Sequence, residues 1–198
     1  MIYTQPVKPR VSTRKRVCIL FTGGAESTAL CEHALQEDVI FDLVHMIHNN
    51  RSSAEMINGD KIAMYYEKVV YNIQVIADLF DERYVRHYRD NMIWLGMAIA
   101  KIPRGLYDEV WFGTHKGEIE TAPTLFDMWN NAMALGGEDT IIRTPLSALT
   151  KEEQYSIIPD EIKKLVVQCE YLTLKDGKPV KCNDCGKCRE WQKLVKDA

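Results

Sequence analysis

Long apolar runs are missing from this 198-residue chain. Nothing in it approaches the roughly 20 consecutive apolar residues that a membrane helix requires; the longest candidate, Met92–Ala100, is short and interrupted by a glycine. Met1–Arg16 is polar and basic with no apolar segment behind it, so no secretory signal is expected and the compartment is expected to be cytosolic. A large charge of one sign is missing as well. The 25 Lys and Arg against 28 Asp and Glu leave a net charge of −3, which argues against charge-driven duplex binding and favours a small-molecule partner. Internal repeats and low-complexity stretches are absent. So are two nucleotide signatures, the G-x-x-x-x-G-K-[ST] phosphate loop and the G-x-G-x-x-G dinucleotide turn. What remains, at 46% hydrophobic and 27% charged residues, is an ordinary globular composition with room for one core and a small appendage.

Cysteine is present but unevenly placed. Cys18 and Cys31 fall in apolar surroundings and read as core residues. Cys182, Cys185 and Cys188 form C-x₂-C-x₂-C, with Cys169 thirteen residues earlier. In a reducing compartment such a cluster binds metal more readily than it forms disulfides. Four thiolates suit a closed, tetrahedral Zn²⁺ site of structural type; an iron–sulfur cluster and unmetallated thiols are the rival readings.

The chain divides into a loose arm over 1–15, an α/β region over 16–150 and a helical, cysteine-bearing region over 151–198. Val17-Cys18-Ile19-Leu20-Phe21 is apolar without alternation, as a strand covered on both faces should be. Thr22-Gly23-Gly24-Ala25-Glu26-Ser27 breaks it, and Thr28–Gln36 reads as a helix. Val39–Ile47 predicts a second strand. Ile62, Tyr65, Tyr66, Val69, Ile73, Ile76 and Phe80 recur at helical steps and predict one helix over Asp60–Phe80. Further helices are predicted over Asn91–Lys101, Pro123–Leu135 and, around Pro159, Lys151–Gln168. Short strands are predicted at Glu109–Gly113 and Thr140–Ile142. Strands alternating with helices imply βαβ units, hence a doubly wound, mostly parallel sheet.

The glycine turn admits two readings. In one, it is a tight strand–helix connection with Ser27 as N-cap. In the other, glycine freedom lets successive N–H groups face inward as an anion nest at a helix N-terminus. Thr22 and Ser27 then offer hydroxyls to phosphate oxygens, and Glu26 offers a carboxylate to Mg²⁺. Among the histidines, His115 follows Gly113 at a strand end where ligands bind in such folds, though a solvated loop residue is the plainer reading.

Thr22–Ser27 resembles the S-G-G-x-D-S loop of the PP-loop ATP pyrophosphatases, with Thr22 in place of Ser and Glu26 in place of Asp. That loop near one end and four cysteines near the other resemble the 7-cyano-7-deazaguanine synthase family, over about Val17 to Trp191. Asn91-Met92-Ile93-Trp94-Leu95 resembles the family's R-N-x-x-F-L at its Asn, with Asp90 in the place of Arg. Trp111–His115 resembles the strand ending in a glycine beside the nucleotide. Pro145-Leu146 followed by Lys151 resembles P-L-x-x-x-x-K, whose Lys approaches the ATP phosphates. The family's D-x-x-x-Y-P-D-C-R stretch falls on Glu118–Phe126, where Pro123 is kept and the following Asp and Arg are not. Glu118, Glu120 or Asp127 are left to accept from a guanine-like edge.

The resemblance implies a PP-loop/HUP-like fold with a C-terminal Cys₄ zinc appendage, and a homodimer. It implies ATP and Mg²⁺ at Thr22, Gly23, Gly24, Ala25, Glu26, Ser27, Thr28 and Gly113, with Glu26, Ser27 and Lys151 in catalysis. Asn91, Glu118 and Asp127 would touch substrate, and Cys169, Cys182, Cys185 and Cys188 would hold Zn²⁺. The implied reaction uses ATP to adenylate 7-carboxy-7-deazaguanine, ammonia to form the amide, and a second ATP to dehydrate the amide to the nitrile. No membrane or direct nucleic-acid partner is implied. The altered Pro123 segment leaves room for a variant that stops at the amide or uses another amine. A tRNA-modifying PP-loop enzyme and a non-catalytic nucleotide-binding protein are the remaining alternatives.

Overall fold

A computed structural model of the chain describes residues 13–47, 52–74, 102, 105–118, 123–135, 139–166, 168–169 and 171–196. Strands β1 (Arg16–Leu20), β2 (Ile40–Ile47), β3 (Val70–Gln74), β4 (Glu109–Trp111) and β5 (Ile141–Arg143) form a parallel sheet in the order β3-β2-β1-β4-β5. In register, Val17 faces Phe41 on one side and Glu109 on the other. The apolar run of β1 is explained by its central place: alternate side chains go to opposite faces, and both faces are covered. Val17 and Ile19 join Phe41, Leu43 and Trp111 under helices α1 (Ala25–Gln36) and α2 (Ser52–Tyr65). Cys18 and Leu20 join Val44, Val110 and Ile142 against Phe126 of helix α3 (Pro123–Leu135). This is the doubly wound α/β fold expected from the sequence. Cys18 and Cys31 are both fully buried.

Helices α4 (Lys151–Ile157) and α5 (Asp160–Lys163) break at Pro159, which caps α5. They share the first face: Tyr155, Ile158, Ile162 and Val166 belong to the same cluster as Val17 and Leu30. Edge strand β5 is blunted on its outer side by a side chain. Asn130 of α3 accepts from the Ile142 N–H at 2.7 Å and donates to the Ile142 carbonyl at 3.3 Å, supplying the pairing a sixth strand would supply.

The single helix expected over Asp60–Phe80 is corrected. Helix α2 runs from Ser52 and closes at Tyr65, and Val70–Gln74 is strand β3 on β2. The closure is local. Glu67 takes a left-handed φ of 54°, while the Lys68 N–H turns back to the Ala63 carbonyl at 2.9 Å and the Glu67 N–H to Met64 at 3.1 Å. Ile62 and Tyr66 of the predicted stripe are buried, but Val69 is 73% exposed. The β-branched and aromatic run Val69-Val70-Tyr71 favours an extended backbone once a neighbouring strand is available. The expected helix over Asn91–Lys101, and with it Asn91, lies outside the described residues.

The C-terminal appendage consists of a hairpin, β6 (Thr173–Lys175) and β7 (Lys178–Val180), followed by helix α6 (Gly186–Lys196). Asp176 and Gly177 turn the hairpin with φ of 51° and 71°, the conformation that a two-residue Asp-Gly turn favours. The hairpin lies against α2, and α6 returns Trp191 and Leu194 to the main core.

Candidate active site and metal centre

The strand order turns about β1, so the C-terminal ends of β1 and β4 form the switch point where ligands bind in open α/β sheets. Thr22–Ser27 leaves β1 at that point. Gly23 has φ of 72°, and a Cβ there would lie 3.5 Å from the backbone of Gly59 on α2. Helix α1 begins at Ala25 with Gly24 as N-cap, three residues earlier than predicted, and Ser27 lies inside its first turn. Ser27 therefore does not cap the helix. Its Oγ accepts from the Thr22 N–H at 3.2 Å, lies 3.3 Å from Thr22 Oγ1 and donates to the Gly24 carbonyl at 3.3 Å. The two hydroxyls thus cross-brace the loop. The amides of Ala25, Glu26 and Ser27 have no carbonyl within their own helix to bond, because they form its first turn. They and the helix dipole make the N-terminus of α1 electropositive.

Gly113, at the end of β4, abuts this turn. A Cβ there would stand 3.0 Å from Glu26 Cβ, 3.1 Å from the Glu26 carbonyl carbon and 3.1 Å from the Ser27 nitrogen. Only glycine lets β4 approach the loop this closely. Beyond it, Thr114 is buried, and its carbonyl accepts from Gln154 of α4 at 2.8 Å. Gln154 also donates to the Leu146 carbonyl at 2.8 Å, so one side chain ties the ends of β4 and β5 to α4.

Lys151 opens α4 behind a capping box made by Thr150 and Glu153. Its Nζ reaches Glu26 Oε1 at 3.3 Å and Glu190 Oε2 of α6 at 3.2 Å. Burial alone would depress the Lys151 ammonium, but the two carboxylates outweigh it and raise its pKa. The other oxygen of Glu26 accepts from Gln168 Nε2 at 3.1 Å. The structure thus brings Thr22–Ser27, Gly113 and Lys151 together, and adds Gln168 and Glu190. Neither was foreseen. Gln168 left one trace in the sequence, a lone amide in the run Leu165-Val166-Val167-Gln168-Cys169.

The residues expected to read the substrate are more scattered. Glu118 is exposed in the turn after Thr114; it accepts from Thr114 Oγ1 at 3.2 Å and lies 3.5 Å from His115 Nε2. Asp127 is exposed on α3, the helix packed on β5. Glu120 lies outside the described residues.

Cys169, Cys182, Cys185 and Cys188 converge with their Sγ atoms all within 4.8 Å of one another. The sulfurs of Cys169 and Cys182 are 3.6 Å apart and those of Cys182 and Cys188 3.9 Å. Tetrahedral Zn–S bonds of about 2.3 Å require sulfur separations of about 3.8 Å, so the cluster fits Zn²⁺. Backbone N–H groups of Cys182, Cys185 and Cys188 point to the sulfurs of Cys169, Cys182 and Cys185 at 3.3–3.4 Å, the outer hydrogen bonds a thiolate centre needs. Without a cation, burial and the adjacent sulfurs push the Cys188 thiol up to about 12. A bound dication reverses that balance. Lys181 lies beside the cluster with its ammonium 5.1 Å from the Trp191 ring centre, and burial lowers its pKa.

No family model matches the chain and no curated protein matches it. Among solved structures, it is similar to a 4-thiouridine synthetase solved with RNA and bound ATP, at 15% identity and a TM-score of 0.55, covering 92% of this chain. The chain spans 50% of that protein's length. It also aligns with a predicted subunit of tRNA methyltransferase from Methanocaldococcus jannaschii, at 14% identity and a TM-score of 0.45, covering 92% of this chain and 88% of that one. The NMN synthetase of Francisella tularensis aligns at 13% identity and a TM-score of 0.45, covering 93% and 86%. What the alignment with the 4-thiouridine synthetase establishes is the fold, a five-stranded parallel sheet with helices.

Proposed function

We propose that the chain is an ATP-dependent ligase that binds Mg²⁺-ATP at Thr22–Ser27 and adenylates 7-carboxy-7-deazaguanine on the way to the nitrile. The observation that carries this reading is the arrival of Lys151 at Glu26, on the electropositive first turn of α1. A polyphosphate needs that combination: loop amides, two hydroxyls, a carboxylate able to hold Mg²⁺ and a Lys able to reach a charged oxygen. The fold shared with an ATP-bound synthetase supports it.

A carboxylate resists attack because its leaving group would be oxide. In the proposed reaction a substrate carboxylate oxygen attacks the α-phosphorus of ATP, the bond to pyrophosphate breaks, and the acyl adenylate forms. Ammonia then attacks the acyl carbon, AMP leaves and a proton is lost, giving the amide. The amide oxygen then attacks the α-phosphorus of a second ATP and displaces pyrophosphate, and loss of AMP with the two N–H protons gives the nitrile. No side-chain nucleophile is required. The protein positions the reactants and stabilises charge, with the amides of α1 and Lys151 facing the phosphates and Glu26 holding Mg²⁺. Zn²⁺ at the four cysteines would serve as a structural tether, with no open position for chemistry.

Mass spectrometry of the product from 7-carboxy-7-deazaguanine, ATP, Mg²⁺ and ammonium tests the reading. The nitrile mass is the expected result, and the amide mass alone would restrict the reaction to its first half. Unchanged substrate with no pyrophosphate released would overturn it. Because the 4-thiouridine synthetase was solved with RNA, pyrophosphate release that requires added tRNA would favour a tRNA-modifying enzyme instead.

A further inference from the structure

Two contacts run from the four-cysteine centre into the candidate active site. Gln168 immediately precedes Cys169 in the chain, and its amide donates to Glu26 at 3.1 Å. Glu190 follows Cys188 by two residues on α6 and meets Lys151 at 3.2 Å. Both residues are thus anchored at one end by the cluster and applied at the other to the carboxylate and the ammonium at the loop.

The two contacts differ in kind. Gln168 is 5% exposed. Its neutral amide fixes the direction of the Glu26 carboxylate without cancelling its charge, so the charge stays available to a divalent cation. The Glu190 side chain is 60% exposed, so its pairing with Lys151 is weak and readily exchanged. Glu26 and Glu190 share one ammonium, and an incoming polyphosphate competes with Glu190 for it.

Resting on the reading of Thr22–Ser27 as an ATP site, we propose that the four-cysteine centre sets the nucleotide affinity of the loop. Gln168 is the positioning residue for Glu26, and Glu190 is a counter-ion that Lys151 gives up to the nucleotide. Coupling of this kind is reciprocal: if an intact centre favours nucleotide, bound nucleotide must favour the intact centre by the same factor.

The test is calorimetric titration of the zinc-loaded full chain with Mg²⁺-ATP, with zinc content measured in parallel. Gln168→Met keeps the volume and loses the donor. It should weaken nucleotide binding about tenfold at unchanged zinc content, the loss expected for one hydrogen bond to a charged group. Glu190→Gln removes the competing anion at an exposed position and should tighten binding about threefold. Release of zinc to a chromophoric chelator should slow when Mg²⁺-ATP is present in the wild type, and not in Gln168→Met. Wild-type affinity in Gln168→Met, or nucleotide-independent zinc release in the wild type, would overturn the coupling while leaving the ATP site standing. Unchanged or weaker binding in Glu190→Gln would overturn the counter-ion role. Absence of Mg²⁺-ATP binding by the zinc-loaded wild type would overturn the ATP reading itself, and the coupling with it.

Discussion

The carboxylates toward the two ends of the sheet are treated differently. Near the N-terminal ends, Glu109 takes Lys15 at 3.0 Å and Arg143 at 2.9 Å on one oxygen and the Trp111 indole N–H at 2.7 Å on the other. Asp42 likewise takes the Arg16 guanidinium at 2.7 Å and 3.2 Å and the Tyr107 hydroxyl at 3.0 Å, all on Oδ2. Burial, with Asp42 beside it, raises the Tyr107 phenol, so it stays a donor. Each of these carboxylates has cations or donors for itself. At the C-terminal end Glu26 has half a cation, because Lys151 also serves Glu190, and its second oxygen is held by a neutral amide. A carboxylate whose charge is met by a guanidinium or an ammonium together with a neutral donor builds the fold. One whose charge is only partly answered, beside first-turn N–H groups that have no carbonyl in their own helix to bond, is left to answer to a ligand.

If that distinction holds, stability and binding should separate by site. Glu109→Ala strips Trp111 of its buried acceptor and leaves two cations without their carboxylate. Because the Lys15 and Arg143 side chains are 46% and 57% exposed and can turn to water, the expected cost is about 3 kcal/mol rather than the upper end for a fully buried pair. Thermal denaturation should show Tm falling by about 6–12 °C, with Mg²⁺-ATP affinity retained in the folded fraction. Glu26→Gln should do the reverse, costing about 1 kcal/mol of stability and at least about tenfold in pyrophosphate release. Equal stability losses in the two variants would erase the comparison.

A smaller effect sharpens it from the backbone side. Gly113→Ala leaves every charge in place but sets a Cβ 3.1 Å from two backbone atoms of the α1 turn, which cannot rotate away. The loop must shift, at about 1–3 kcal/mol for an overpacked contact. About a tenfold loss of Mg²⁺-ATP affinity is expected, with a smaller fall in Tm than for Glu109→Ala. Unaltered affinity would mean that the approach of β4 to the loop plays no part in binding.

Much of this arrangement was legible from local signals. The unalternating run of β1, the glycine turn and the limits of α3 follow from burial, backbone freedom and helical periodicity over neighbouring residues. The cysteine spacing likewise foretold the convergence of the four sulfurs. What failed to show was whatever depends on partners distant in sequence. The stripe from Ile62 to Phe80 is compatible with one helix, and only pairing with β2 makes Val70–Gln74 a strand. The β6–β7 hairpin carries a local mark in the sequence, the Asp176-Gly177 turn. Gln168 and Glu190 carried almost none, because a Gln beside a Cys and a Glu on an amphipathic helix acquire meaning only when the appendage folds back on the loop.

The smallest expected effect concerns pH. Lys151 is raised above the ordinary 10.5 because Glu26 and Glu190 outweigh the burial that would lower it. A Lys whose folded pKa is raised contributes fully below its unfolded value, and loses that contribution only as pH climbs through the higher folded value. The ammonium should therefore stay charged across the neutral and mildly alkaline range. Mg²⁺-ATP affinity should hold flat from about pH 7.5 to about pH 9.5, and Lys151→Met should lower it by the same factor at both limits. A decline within that range that vanishes in Lys151→Met would mean that burial dominates and the two carboxylates do not hold the charge. Lys151 would then be a titrating group rather than a fixed cation, and the contrast between a closed end of the sheet and an end left partly unanswered would have to be drawn without it.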